Sequence, residues 1–222
     1  MSVRPAATLI LLRDRGGAIE VVMGHRPPGG VFGDAWVFPG GVVEDRDLSI
    51  AAHPDDAWML AAVRETAEEV GILLVRPEGA TVDVRPDDDL YARLEEMGAE
   101  FDLSRLVYLS NWVTPRFVPR RFDTRFYLTV ITDAAEPRAV TGEFVTAEWV
   151  DVRRALERHE AGDMPLILPT LAHLRYISGF RSAAELEAEA RSMDRIPQIE
   201  PRRFERGGHV ELTVSGDSRF ER

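Results

Sequence analysis

Apolar residues in the first third of the chain follow two different rhythms. Residues 7–12 and 19–23 are short apolar runs separated by Arg-Asp-Arg-Gly-Gly. That pattern predicts a β-hairpin with Gly16 and Gly17 in the turn. A glycine-rich loop follows over residues 27–33, and then Trp36-Val37-Phe38-Pro39-Gly40-Gly41. From Asp55 to Val70 the period changes: Leu60, Val63, Ala67 and Val70 recur at three- and four-residue steps, the spacing of an amphipathic helix. Asp55 or Asp56 supplies a candidate N-cap, and Gly71 stands where such a helix ends. Residues 76–104 are polar and acidic and predict a short helix in an excursion from the core. Strands are expected over 106–112, 122–131 and around 146–150, helices over 151–161, 170–178 and 182–193, and a last strand over 209–214. No internal repeat and no flexible linker interrupts this order. One domain over residues 1–180 is expected, with residues 181–222 as a C-terminal helix and tail extension.

Composition narrows the class. Hydrophobic residues make up 45% and charged ones 29%, the proportions of a soluble globular domain. The formal charge of −11 comes with no long basic stretch, which argues against nucleic acid or an anionic membrane as a partner. The apolar run at residues 6–12 is broken by Thr8 and stops at Arg13, too short to span a bilayer and without the flanks of a secretion signal. With no cysteine there is no disulfide, thiolate zinc site or cysteine nucleophile, and a cytoplasmic address is the simplest reading. The sequence also contains no lysine, so all 27 basic residues are arginine. That removes Schiff-base chemistry, the phosphate-loop lysine and the kinase lysine together. Any phosphate chemistry here rests on arginine, backbone amides or a metal ion.

The densest chemical signal is Arg64-Glu65-Thr66-Ala67-Glu68-Glu69-Val70-Gly71-Ile72. At about 100° per residue, Leu60, Val63, Ala67 and Val70 form one stripe of the helix. Glu65, Glu68 and Glu69 share an arc roughly opposite it, and Arg64 lies one turn before Glu68, where the two can pair. Taken alone, three glutamates on one arc fit a solvated helix face as well as a site. In a cleft, two such charges about 5 Å apart repel by roughly 3 kcal/mol at an effective dielectric near 20, and a divalent cation reverses that sign. Hard oxygen ligands of this kind suit Mg²⁺ or Mn²⁺.

These residues carry a resemblance. The nonamer resembles the second half of the Nudix box, with Thr66 where an aliphatic residue is usual, and Phe38-Pro39-Gly40-Gly41 resembles its opening. Counting from Gly41, the box's first glutamate falls at position 47, occupied here by Asp47, with Glu44 and Asp45 as rivals for its role. The arginine is expected at 55 and stands at 64, so the loop is longer than the common spacing by 64 − 55 = 9 residues. The resemblance implies an α/β/α sandwich with a mixed sheet. It also implies Mg²⁺ or Mn²⁺ held by Glu65, Glu68 and Glu69, with Glu65 or Glu69 closest to a water that attacks a diphosphate. A later acid often joins such a site; Glu143 is the candidate and Glu148 the alternative. Gly40 and Gly41 would let the backbone approach a phosphate.

A narrower similarity covers Asn111-Trp112-Val113-Thr114-Pro115 and Arg121-Phe122-Asp123-Thr124-Arg125-Phe126, which resemble the acyl-CoA diphosphatase branch of the family. Strand alternation places Arg121, Asp123 and Arg125 on one face, either as a phosphate clamp or as an exposed charge ladder. Arg26 follows the second strand as a further substrate-binding candidate or a solvated loop residue. The five histidines show no metal-ligand spacing. Trp36, Trp58, Trp112 and Trp149 are expected in the core, Trp112 with the option of stacking on a base. The expected activity is hydrolysis of a small-molecule nucleoside-diphosphate compound, CoA or acyl-CoA among them. The alternatives are ADP-ribose or nucleotide-sugar hydrolysis and a catalytically silent binding module. Neither the leaving group nor the oligomer is set, a homodimer being one admissible assembly.

Overall fold

Alternation along the first strand sets the layers. In a computed structural model, β1 (Arg4–Arg15) turns Ala7, Leu9 and Leu11 to one core and Ile10 and Leu12 to another, all fully buried. The structure describes residues 3–29, 33–77, 84–85, 89–131, 135–206, 209–214 and 217–220, of which 204–206 and 209–213 by backbone alone. Gly16 and Gly17, at φ 61° and 82°, turn β1 back into β2 (Ala18–His25), with Arg15 facing Ala18. Three short elements follow, β3 (Trp36–Val37), β4 (Gly40–Val42) and α1 (Asp45–Ile50). Next comes α2 (Asp56–Val70), the helix read from the period.

The acidic excursion contains α3 (Leu90–Glu96), flanked by β5 (Val75–Arg76) and β6 (Glu100–Phe101), which pair with each other. The sheet resumes with β7 (Val107–Val113), β8 (Phe122–Val130) and β9 (Thr146–Asp151). Then come α4 (Val152–Glu160), α5 (Leu168–Ile177), α6 (Ala183–Arg191), β10 (Gln198–Ile199) and a hairpin of β11 (Arg202–Arg206) and β12 (His209–Thr213).

The eight-stranded sheet runs β10-β7-β8-β1-β2-β3, with β4 also on β1 and β9 also on β2. It is mixed: β1–β8 and β7–β10 are parallel, the other pairs antiparallel. Leu60, Val63, Ala67 and Val70 of α2 cover one face together with α3. Ala155, Leu174, Ile177 and Leu186, from α4, α5 and α6, cover the other. The fold is the expected α/β/α sandwich. The extension is part of it, since Ala183 and Leu186 are fully buried and Ile199 adds an edge pair to β7. Among the described residues no helix is long and apolar enough to cross a membrane.

Two details differ from expectation. Trp112 is buried among Phe126, His173 and Phe220, so it is closed to a base. Asp55 precedes α2 as its N-cap but makes no capping hydrogen bond; its carboxylate takes Arg125 instead.

Candidate active site

The carboxylate helix is held in place by its own sequence. Its apolar stripe is buried, and Gly71 closes it in the left-handed region at φ 71° with its amide on Ala67 O. Thr66 is fully buried and donates its hydroxyl to Ala62 O at 2.8 Å, so its side chain presents only a methyl group to the core. The opposite arc is not a solvated face. Glu69 is 2% exposed, because other segments lie on it. Strand β4 crosses there at Gly40 and Gly41, paired with Thr8 and Ala7 of β1. A Cβ on Gly40 would strike the Ala7 carbonyl and Thr8, and one on Gly41 would occupy the place of the Glu65 carboxylate. On the far side, Arg138 and Val140 donate amides to Val70 O and Glu69 O, which lays the loop leading to Glu143 along the end of α2.

Glu69 Oε2 accepts from the Gly40 amide at 2.8 Å, while its Oε1 is buried without a hydrogen-bond partner among the described residues. Arg26, placed at the end of β2, sets its guanidinium 3.8 Å from that oxygen and 3.5 Å from Glu143. Arg26 therefore spans the helix acid and the loop acid, and of the two later acids Glu143 is the one at the site. Glu148 faces away on β9 and pairs with Arg158 at 3.6 Å.

Arg64 organises the other half. Its Nε and Nη2 donate to Asp47 at 3.0 Å each and Nη2 also to Val42 O at 3.1 Å. Its Nη1 reaches Glu65 at 3.1 Å and Glu68 at 2.9 Å. Asp47 is fully buried and bound to Arg64, which makes it an anchor for that arginine. Glu44 is the cap of α1, in a reciprocal arrangement with Asp47, and Asp45 lies on the exposed first turn.

Burial raises the carboxyls. Glu65 is pushed up to about 7, with Glu68 and Glu143 adding to burial and Arg64 opposing it. Glu69 is held well above the ordinary carboxylate range by burial and by Glu65, against the Gly40 amide. Glu68 is raised as well, again first by burial. A buried acid with one orphaned oxygen, beside the partly buried Glu65, forms a donor set that a hard divalent cation fits, since it would supply the missing positive charge. Glu65, Glu68 and Glu69 are the residues that could hold it. Among the described residues no three metal-ligating groups already converge on one point. Arg64 and the Gly40 amide hold oxygens that a cation would share.

The two strand arginines take separate partners. Arg121 lies just before β8 and donates to Thr114 O at 2.9 Å, with Glu200 at 3.6 Å. Arg125 pairs with Asp55 at 2.8 Å and stacks on Trp58 with its guanidinium carbon 4.0 Å from the ring centre. Both contacts are at the N-terminal end of α2, away from the carboxylates, so the expected paired clamp is not formed. Asp123 is taken by Asn111. Tyr91, whose hydroxyl donates to Asp47, escaped the sequence reading because nothing in an acidic, aperiodic stretch marks it.

Comparison with known proteins bears on the family and the fold. The family model for the NUDIX domain matches residues 3–170. The solved NUDIX hydrolase of Alicyclobacillus acidocaldarius superposes with a TM-score of 0.75 at 34% identity, covering 85% of this chain and 96% of that one. A Caenorhabditis elegans protein named as a nudix hydrolase is 29% identical over 150 residues, 64% of this chain and 50% of that protein. The Homo sapiens acyl-coenzyme A diphosphatase NUDT19 is 28% identical over 158 residues, 60% of this chain and 42% of that protein. The chain thus spans half or less of the length of these curated relatives. A family match over well over half of its residues makes this chain a member of the NUDIX domain family.

Proposed function

We propose that this chain hydrolyses the diphosphate bond of a nucleoside-diphosphate-linked compound, with Mg²⁺ or Mn²⁺ held by Glu65, Glu68 and Glu69. The observation that carries the reading is the gathering of Glu65, Glu69 and Glu143 around Gly40, Gly41 and Arg26, with one buried Glu69 oxygen left unpaired. A divalent cation bound there supplies charge neutralisation for the diphosphate and lowers the pKa of an attacking water. Gly41 keeps open the space that a side chain would take from the Glu65 carboxylate, and the Gly40 amide faces Glu69. Arg26 is a ready partner for phosphate oxygens, exchanging its long 3.5 Å contact with the Glu143 carboxylate for a shorter charge-assisted one. Glu143, 58% exposed on its loop, then accepts the proton of the water as its oxygen attacks phosphorus and the bridging P–O bond breaks.

The finer reading is that the compound is CoA or an acyl-CoA. Support comes from the likeness to NUDT19 and from the 111–126 segment. CoA carries a 3′-phosphate, and in a chain without lysine an arginine has to meet it; Arg121 or Arg125 would do so singly, by giving up Glu200 or Asp55.

The test is turnover of CoA, dephospho-CoA, ADP-ribose and a nucleotide sugar in ¹⁸O water with Mg²⁺ or Mn²⁺. CoA is expected to yield 3′,5′-ADP and a phosphopantetheine product, the label residing on a phosphate. Arg121→Ala and Arg125→Ala should narrow the preference for CoA over dephospho-CoA. No turnover of any diphosphate would leave a silent binding module and sink the hydrolase reading. Turnover of ADP-ribose or the sugar without CoA would sink the CoA reading alone.

A further inference from the structure

Tyr91 belongs to none of the motifs that make up the site. It sits on α3, in the acidic excursion, yet its hydroxyl donates to Asp47 Oδ1 at 2.5 Å. Asp47 has no solvent contact, and its two oxygens take four donors: Arg64 Nε, Arg64 Nη2, the Glu44 amide at 2.8 Å and Tyr91. Arg64 spends two donors on Asp47, which leaves Nη1 to hold Glu65 and Glu68. A guanidinium is planar with donors in fixed relative directions, so a tilt at the Asp47 edge moves Nη1 at the other. The contacts therefore run from Tyr91 through Asp47 and Arg64 to two of the three helix carboxylates.

We infer that Tyr91 is a positioning residue: by donating to Asp47 it sets the angle at which Arg64 presents Glu65 and Glu68. The inference rests on the reading of those glutamates as cation ligands. Aspartate at position 47 is one methylene shorter than the glutamate the motif spacing leads one to expect, and α1 and Tyr91 both act on that shorter group. Asp47 lies in the first turn of α1, whose cap delivers the Glu44 amide. The excursion supplies α3 and the phenol. A buried carboxylate that loses one donor is left underpaired and shifts towards the donors that remain. The ring of Tyr91 is fixed separately, edge-on to Phe101 at 5.5 Å, so removing the hydroxyl alone leaves its packing in place.

The decisive measurement is Mn²⁺ binding itself, followed by loss of the free-ion EPR signal on the full chain in wild type, Tyr91→Phe and Leu94→Ala. Leu94, buried on the same helix, controls for loosening α3 with the hydroxyl intact. Partners behind a metal ligand typically change affinity by about 10–100-fold, and Tyr91→Phe is expected near the lower end, about tenfold weaker. Its kcat should fall while KM for the diphosphate stays within about twofold, and Leu94→Ala should lower Tm yet bind Mn²⁺ as wild type does. Equal Mn²⁺ affinity in wild type and Tyr91→Phe overturns the inference and leaves the hydrolase reading standing. Equal weakening by Leu94→Ala also overturns it, because the effect would then belong to packing. A wild type that binds no Mn²⁺ overturns the hydrolase reading, and the inference with it.

Discussion

Single atoms decide much of the chemistry at the residue scale. Gly41 is required for what it lacks: a methyl there would take the place of the Glu65 carboxylate. Gly41→Ala is expected to fold with nearly unchanged Tm and to lose about 100-fold in Mg²⁺-dependent turnover, the usual cost of misplacing a reacting group by an ångström. His173 makes the opposite case, a histidine whose role is to stay neutral. It is fully buried, with Nδ1 on Pro169 O at 2.6 Å and Nε2 against Ser110 Oγ at 2.8 Å. A carbonyl only accepts, so Nδ1 carries the proton and Nε2 accepts from the serine. Burial pushes this imidazole down to about 4. In the unfolded chain it titrates near its ordinary 6.5, so its contribution to stability is complete above that pH and is lost as pH falls towards 4. At about 1.4 kcal/mol per unit, roughly 3 kcal/mol is at stake across that window. His173→Gln should be less stable at pH 7 yet lose less Tm on acidification to pH 4.5. Parallel acid slopes in the two proteins would show that another group is responsible.

Helix α2 shows at the scale of the element what a periodic sequence reveals and what it hides. The buried stripe was legible to the residue, and so was the Arg64–Glu68 pair, because both depend only on helix geometry. The burial of Glu65 and Glu69 was not. A helical wheel carries no information about what lies against its other face, and here that is β4 and the loop reaching Glu143. Helix α1 was equally hidden, since six residues with one buried side chain have no period to detect, and the count from Gly41 marked Asp47 without deciding between it, Glu44 and Asp45. Arg121 and Arg125 do follow strand alternation, but their partners, Glu200 and Asp55, lie in elements whose proximity only the tertiary fold creates.

The burial that the wheel missed has a measurable signature. Glu65 has its folded pKa raised to about 7, and burial holds Glu69 well above the ordinary carboxylate range. Without a cation, the stability linked to these acids is complete below about 4.5 and is lost as pH rises through about 7. A bound cation offsets the buried charge, so the rise in Tm on adding Mn²⁺ should be larger at about pH 8 than at about pH 5.5. Glu68→Gln with Glu69→Gln should abolish that rise and leave a folded protein. A Tm response independent of pH, or one that survives the double substitution, would remove these carboxylates from the cation site.

For the molecule as a whole, the family match stops at residue 170 but the core does not. Leu186, Ile199 and Phe220 are all buried on the face that α4 and α5 cover. Each such side chain contributes about 1.5–3 kcal/mol, and the three together rival the roughly 5–15 kcal/mol by which a domain is stable. A chain cut after residue 180 should therefore be largely unfolded or aggregated, as circular dichroism and gel filtration will show. A soluble, cooperatively melting fragment would mean that the extension only decorates a finished domain.

The position of β1 also governs how the protein is made. It pairs with β2, β4 and β8, and its parallel partner begins more than a hundred positions later, Arg4 meeting Phe122 and Leu12 meeting Val130. A ribosome adding about 5–20 residues per second needs on the order of ten seconds to deliver that partner. Until then β1 and β2 have only the short strands β3 and β4 beside them, a unit of marginal stability whose β1 edge towards β8 is open and strongly apolar. Closure over so long a separation is slow in refolding for the same reason. The arrangement that sets Gly40 and Gly41 against the carboxylates thus leaves the nascent chain exposed to mispairing with its neighbours, and a holding chaperone at that stage should raise the yield of folded protein.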